Sequence, residues 1–296
     1  MPEHHTDHES WHIPGADGMP VFGVCHRPPE GVTPRGTVLV VHGFLGYMDY
    51  GMLPALTESI ASAGFIAHRF NLSHSGVTLA YARFRRPDLF ERDTWNKQRT
   101  DVRAVISACR QGRLPGTDRI GLLGHSRGGV TALRAAGCSD RNARPELLPD
   151  AAFTASAPSA CCSLDTASQK DLLKRGFREV VSRRTKQTLR VGAGWLGEQL
   201  DDPEQHDLQS LCAQIRERGI ATRIVHGARD VTVPPNAAER LAEWTKTDPV
   251  LIAGGDHVFN TPNPFNIGDT PSTQLAQLIE QAVSFFAVLE AAPARG

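Results

Sequence analysis

Along the chain, short uninterrupted apolar runs alternate with longer stretches in which apolar residues recur every three or four positions. The first kind predicts strands buried on both faces, the second the helices that cover them. Residues 38–41, all Val or Leu and set between Gly36 and Gly43, are such a run. Residues 65–71, 120–123, 151–157, 221–226 and 249–253 are further strand candidates. Residues 11–27 predict a leading hairpin, turned where Asp17 precedes Gly18.

Helix signals fall between the strands. One helix starts near Leu53, with Pro54 in its first turn and Gly64 just past its end. Asp93 or Thr94 caps another, which brings Trp95, Val102, Val105, Ile106 and Cys109 to one face and stops at Gly112. A helix of small residues spans 128–137, and a terminal one starts near Thr270 and Pro271 and buries Leu275, Leu278, Ile279, Val283 and Phe286. Strands alternating with helices in this way predict an α/β architecture with a mostly parallel sheet.

One segment breaks the rhythm. About sixty residues separate the strands ending near 157 and beginning near 221, far more than a usual connection needs. Within it, Leu173, Phe177, Val180 and Val181 fall at helical spacing over residues 170–186. This predicts a small helical cap, residues 158–215, inserted into a core made of residues 1–157 and 216–296. The cap's Lys174, Arg175 and Arg178 read as a solvated face. Residues 1–10 read as a mobile tail; His4, His5, His8 and His12 in this region have helical spacing but no better claim to a metal.

Composition narrows the function. The 296 residues suit one large domain, or one domain with an insertion. Lys plus Arg and Asp plus Glu number 32 each, so the chain lacks the basic excess of a general nucleic-acid binder. No apolar run approaches the length of a membrane span, and the N-terminus has no secretory pattern. The six cysteines show no CxxC spacing, which argues against structural zinc. The expectation is a cytoplasmic protein with reduced thiols, its oligomeric state open, a homodimer included.

Gly124-His125-Ser126-Arg127-Gly128-Gly129 matches G-x-S-x-G between a predicted strand and a predicted helix. A nucleophilic serine needs a sharp turn that lifts its hydroxyl above the sheet, and glycines leave room for the backbone to approach there. Val41-His42-Gly43-Phe44 ends an early strand where a loop amide can face the same point. The amides of Phe44 and Arg127 would form an oxyanion hole, each donor worth roughly 3–4 kcal/mol to a transition state. Asp230 follows a later strand in HGARDVTVP, and His257 follows the last one in GGDHVF. The chain order is Ser126, Asp230, His257.

These segments, from about Gly36 to Leu289, resemble the α/β-hydrolase superfamily, and within it the compact bacterial serine esterases of the feruloyl-esterase-like kind. The resemblance implies the α/β-hydrolase fold, a mostly parallel central sheet flanked by helices with a small helical cap. It also implies acyl transfer to Ser126, with His257 as base, Asp230 as its partner and no metal or organic cofactor. Asp256 and Asp165 are rival acids. Where many relatives read D-x-x-G-H-G-x-S, this chain reads Asn71-Leu72-Ser73-His74-Ser75-Gly76, which puts the contacts of that loop in question. Tyr47, His74, Phe177 and Trp195 are candidates to line the acyl or alcohol pocket, each as readily plain packing. The expected partner is a small-molecule ester of small to medium acyl chain, with no nucleic acid and no membrane. A thioesterase or a serine aminopeptidase would use the same triad, and a non-catalytic binding protein is the reading from another class.

Overall fold

The computed structural model describes residues 8–78, 81–137 and 144–291. Its leading segment is an antiparallel hairpin of β1 (His8–Pro14) and β2 (Pro20–His26). Residues 8–10 therefore belong to the sheet and not to the tail expected over residues 1–10; His4 and His5 lie outside the described residues. Next come β3 (Thr37–Val41), α1 (Leu53–Ser62) and β4 (Ile66–Asn71). A short ribbon of β5 (Val77–Thr78) and β6 (Tyr81–Phe84) and a brief α2 (Pro87–Glu91) lead to α3 (Trp95–Arg110). Thr94, not Asp93, caps α3, its side chain accepting from the Lys97 amide.

The second half begins with β7 (Ile120–His125), α4 (Arg127–Ala136) and β8 (Ala151–Ala155). Beyond β8 lie α5 (Thr166–Arg175), β9 (Phe177–Val181), β10 (Thr188–Gly192), α6 (Gly194–Asp201) and α7 (Leu208–Glu217). The fold closes with β11 (Ala221–Gly227), α8 (Asn236–Thr245), β12 (Val250–Ile252) and α9 (Thr273–Phe286), which starts two residues beyond Pro271 because Ser272 caps it. The eight-stranded sheet runs β1-β2-β4-β3-β7-β8-β11-β12, with β2 antiparallel to β4 and every later pairing parallel.

Strand alternation divides the core between two faces. Val38 and Val40 of β3 join Leu56 and Ile60 of α1 and Leu278 and Phe286 of α9. Leu39 and Val41 join Val102, Val105 and Ile106 of α3 on the other side, where α4, α7 and α8 continue the layer. The central strands read as unbroken apolar runs because both of their faces are covered. Among the described residues, no helix is long and apolar enough to cross a membrane.

The insertion differs from the expected helical cap. Gly176 adopts a left-handed conformation (φ 79°) that ends α5, and the chain then forms the antiparallel hairpin β9–β10. Phe177, Val180 and Val181 are thus strand residues. Their spacing mimics a helix, but Val180–Val181 opposite Leu189 and Thr188 suits a pleated ribbon better. The insertion also ends sooner than residue 215. Leu208, Leu211, Cys212 and Ile215 of α7 are buried in the layer that also holds Val130 and Leu133 of α4 and Leu241 of α8, so α7 covers the sheet.

Candidate active site

The turn from β7 into α4 puts Ser126 at φ 55° and ψ −126°, a conformation rare for a residue with a Cβ. Its amide donates to the Ala155 carbonyl at 2.8 Å. Glycine is required on both sides: a Cβ at Gly124 would lie 2.1 Å from the Gly128 carbonyl oxygen, and one at Gly128 would lie 2.3 Å from that of Val41. The strained serine is held by backbone packed too closely for side chains.

Three elements deliver the remaining groups. His257, in the loop after β12, places Nε2 at 3.0 Å from Ser126 Oγ. Its Nδ1 lies 2.7 Å from Oδ2 of Asp230, in the turn after β11. Asp230 Oδ1 accepts from the Thr232 and Val233 amides at 2.8 and 2.9 Å, and His226 Nε2 stands 3.2 Å from Oδ2. Burial alone would raise the Asp230 pKa, but hydrogen bonds from His226, His257 and the Val233 amide outweigh it and hold the carboxyl well below the ordinary range. An ionised Asp230 only accepts, so His257 donates from Nδ1 and offers Nε2 to the Ser126 hydroxyl. The rival acids are engaged elsewhere. Asp256 accepts from the Val258 and Asn260 amides within its own loop, and Asp165 caps α5 through the Ser168 amide.

His42 orders the loop facing the serine. Its Nδ1 donates to the Gly43 carbonyl at 2.9 Å, and its Nε2 accepts from the Leu72 amide at 3.2 Å. Burial pushes its pKa down to about 4, so it stays neutral. Gly43 passes so near the nucleophile that a Cβ there would lie 2.9 Å from Ser126 Cβ. Phe44 follows, and among the described residues its amide has no hydrogen-bond acceptor. The Arg127 amide, first in α4, has no intrahelical acceptor either. The Arg127 guanidinium sits in an aromatic box, 4.6, 4.5 and 5.0 Å from the rings of Phe44, Trp95 and Trp195. Burial lowers its pKa to about 10, which leaves it charged.

A cavity of about 730 Å³ opens over Ser126 and His257. Val181, Arg183 and Arg184 of the insertion form one wall, and Val233, Pro234 and Arg240 another. A smaller apolar lobe of about 260 Å³, lined by Trp95, Leu172, Val180, Val191 and Trp195, shares Phe44 and Arg127 with it.

Of the four residues proposed from sequence for the pocket, only Trp195 lines these two spaces. Tyr47 lies beneath Arg184, whose guanidinium carbon is 4.4 Å from its ring. His74 is fully buried, with Nδ1 at 2.8 Å from Ser73 Oγ and Nε2 at 3.3 Å from Asp17. Its loop is tied inward, since Ser73 bonds Asp101 through both its amide and its hydroxyl. Phe177 lies between the guanidinium groups of Arg175 and Arg190. Tyr50, Arg183, Arg184 and Arg240 line the cavity without having been candidates from the sequence. No local motif marks them, because the cavity is assembled from distant segments.

Among the described residues, His8, His26 and Glu58 are spaced as a metal could use them, both histidines 2.8 Å from Glu58 Oε2. Arg69 donates to His26 Nε2, however, which puts the His26 proton on the Nδ1 that faces Glu58. The trio is a hydrogen-bonded cluster.

Several solved structures share this fold. Est1E from Butyrivibrio proteoclasticus, in its complex with ferulic acid, is 17% identical, with 95% of this chain and 100% of that chain covered and a TM-score of 0.67. XC6422 from Xanthomonas campestris, described as a serine hydrolase without lid, is 19% identical over 98% of each chain, with a TM-score of 0.57. A puromycin-hydrolyzing peptidase of Mycobacterium tuberculosis is 19% identical, with 100% of this chain and 41% of that chain covered and a TM-score of 0.62. No curated protein matches by sequence. The model of the alpha/beta hydrolase family matches residues 38–269, which span the serine turn, the Asp230 turn and the His257 loop, and the chain belongs to that family.

Proposed function

We propose that this protein is a serine hydrolase that cleaves carboxylic esters of small to medium acyl chain through an acyl-enzyme. The observation that carries this reading is the continuous hydrogen-bond chain from Ser126 through His257 to a buried, ionised Asp230, set at the floor of a cavity.

In this reading Ser126 Oγ attacks the ester carbonyl carbon as its proton passes to His257 Nε2. The carbonyl oxygen takes up the electron pair and meets the free amides of Phe44 and Arg127. Asp230 stabilises the imidazolium. Collapse of the intermediate expels the alcohol oxygen, which takes the proton from Nε2 and leaves the acyl group on Ser126. Water then gives a proton to the same nitrogen, attacks the acyl carbon and releases the acid, returning the proton to Ser126 Oγ. The apolar lobe beside Trp195 offers room for the acyl group. A thioesterase would use every one of these residues. An aminopeptidase would need an acidic anchor for the substrate amine, and among the described residues lining the cavity there is no Asp or Glu.

The test is hydrolysis of p-nitrophenyl esters from acetate to decanoate, with methyl ferulate and an acyl-CoA alongside, by wild type and Ser126→Ala. Wild-type turnover that the variant lacks supports the reading, and the best chain length sizes the pocket. A folded protein that hydrolyses none of the oxygen esters overturns it, and turnover of the acyl-CoA alone gives the thioesterase instead.

A further inference from the structure

The cavity over Ser126 is charged in one sense. Arg127, Arg183, Arg184 and Arg240 line it, whereas among the described residues no carboxylate does. The whole chain balances 32 basic against 32 acidic residues, so this segregation is local and does not follow from composition.

The four arginines are not equivalent. Arg127 is enclosed by three aromatic rings and feels Asp93. Arg240 donates to Ser159 Oγ at 3.0 Å, and Arg183 is exposed. Arg184, on the turn joining β9 to β10, lies over the Tyr47 ring at 4.4 Å and the Phe84 ring at 5.6 Å. Among the described residues, its Nε and Nη2 are buried with no hydrogen-bond partner. Burial lowers its pKa, and the groups that act against this are the phenols of Tyr47 and Tyr50, not a carboxylate.

A guanidinium taken partly out of water without a counter-ion is costly, and buried donors left unpaired in a native fold call for an ion or ligand to meet them. Among the described residues none stands at Arg184, and the cavity opens beside it. The two rings already restrict the side chain, so pairing there loses little conformational freedom.

We propose that the substrate brings the missing counter-ion: the ester hydrolysed at Ser126 carries an oxyanion, a carboxylate or a phosphate, which pairs with Arg184 and is flanked by Arg183 and Arg240. This rests on the hydrolase reading above and names its substrate class. Arg184 is then a specificity residue acting on substrate binding.

Two matched pairs test it: mono-p-nitrophenyl adipate against p-nitrophenyl hexanoate, and 2-(butyryloxy)ethyl phosphate against 2-hydroxyethyl butyrate. In at least one pair kcat/KM should favour the anionic ester by about tenfold, mostly through KM, and the pair that does so identifies carboxylate or phosphate as the source. Arg184→Met should bring that ratio close to parity, and Arg184→Lys should retain part of it. Equal rates within both pairs, or a preference that survives Arg184→Met, would overturn the proposal. Should the methionine variant fail to fold, an unchanged ratio in Arg184→Lys overturns it equally. Binding is read apart from turnover by calorimetry, with adipate and inorganic phosphate titrated into Ser126→Ala and into Ser126→Ala/Arg184→Lys. Weaker binding of the favoured anion to the double variant supports the anion site, and equal binding overturns it. Full hydrolysis by Ser126→Ala would instead sink the hydrolase reading, while the titrations would still decide the anion site.

Discussion

His226 Nε2 lies 3.2 Å from the same Asp230 oxygen that His257 holds at 2.7 Å. The His226 ring is fully buried, and the same nitrogen reaches the Val233 carbonyl at 2.9 Å. Val233 in turn donates its amide to the other oxygen of Asp230. The carboxylate is therefore fixed from two sides before His257 touches it. His226→Ala should lower kcat about tenfold with little change in KM, because substrate binding is untouched while His257 loses a rigid partner. His226→Gln, which keeps an N–H near the same place, should recover part of the loss. Steady-state kinetics on one ester check this, and a change confined to KM would contradict it.

The assignment of the acid can be tested directly. Ser126→Ala and His257→Ala should each abolish turnover while near-ultraviolet circular dichroism stays native. Asp230→Asn should cost roughly 10³–10⁴-fold in kcat, since an amide no longer favours the His257 tautomer that accepts from serine. Asp256→Asn should have a much smaller effect, because its Oδ1 only gathers the amides of Val258 and Asn260. The reverse ranking would move the acid to Asp256.

The serine turn, the Asp230 turn and the His257 loop were legible in the sequence because each depends on local chemistry at fixed spacing. Gly124 and Gly128 mark close backbone approach, and apolar residues precede each turn: Leu122-Leu123, Ile224-Val225 and Val250-Leu251-Ile252. The β9–β10 hairpin was not legible. Leu173, Phe177, Val180 and Val181 satisfy a helical period, and only the left-handed Gly176 separates the helix from the ribbon. The pocket was the least legible part. Tyr47 and His74 lie close to Phe44 and Gly76 in sequence, yet burial under Arg184 and against Ser73 removes them from the cavity. Arg184 and Arg240 enter it from segments that no local pattern links to Ser126.

The glycine at the start of α4 should be a determinant of stability. A Cβ at Gly128 would lie 2.3 Å from the Val41 carbonyl oxygen and 2.6 Å from that of His42, both backbone atoms of the strand end beside the nucleophile. Neither can move without displacing β3 or the loop that carries Gly43. Gly128→Ala should therefore destabilise the fold by about 3 kcal/mol or more, at the upper end for single substitutions. Chemical denaturation measures it, and a cost below about 1 kcal/mol would mean that the turn relaxes more readily than its packing implies.

Stability should fall on mild acidification, and the responsible groups can be separated. Burial pushes the pKa of His42, His68 and His74 down to about 4 and that of His125 to about 3. In the unfolded chain each returns to an ordinary value near 6.5. Between about 6.5 and 4 the unfolded state then binds more protons than the folded one, so the stability these groups contribute is present above 6.5 and is lost as pH falls. Asp93 and Asp101 act in the opposite sense. Burial raises them to about 7 and about 6 from an ordinary 3.8, so the folded state holds more protons over that range and gains stability on acidification. With four histidines against two carboxyls, the net effect between pH 6.5 and 5 is a loss, each group weighing at most about 1.4 kcal/mol per pH unit. Urea unfolding at pH 7, 6 and 5 should show it. His68→Gln, whose carboxamide can still donate toward the Pro115 carbonyl, should lessen the dependence on pH, and Asp93→Asn should steepen it. Parallel curves for wild type and both variants would mean that these groups titrate alike in the folded and unfolded chain.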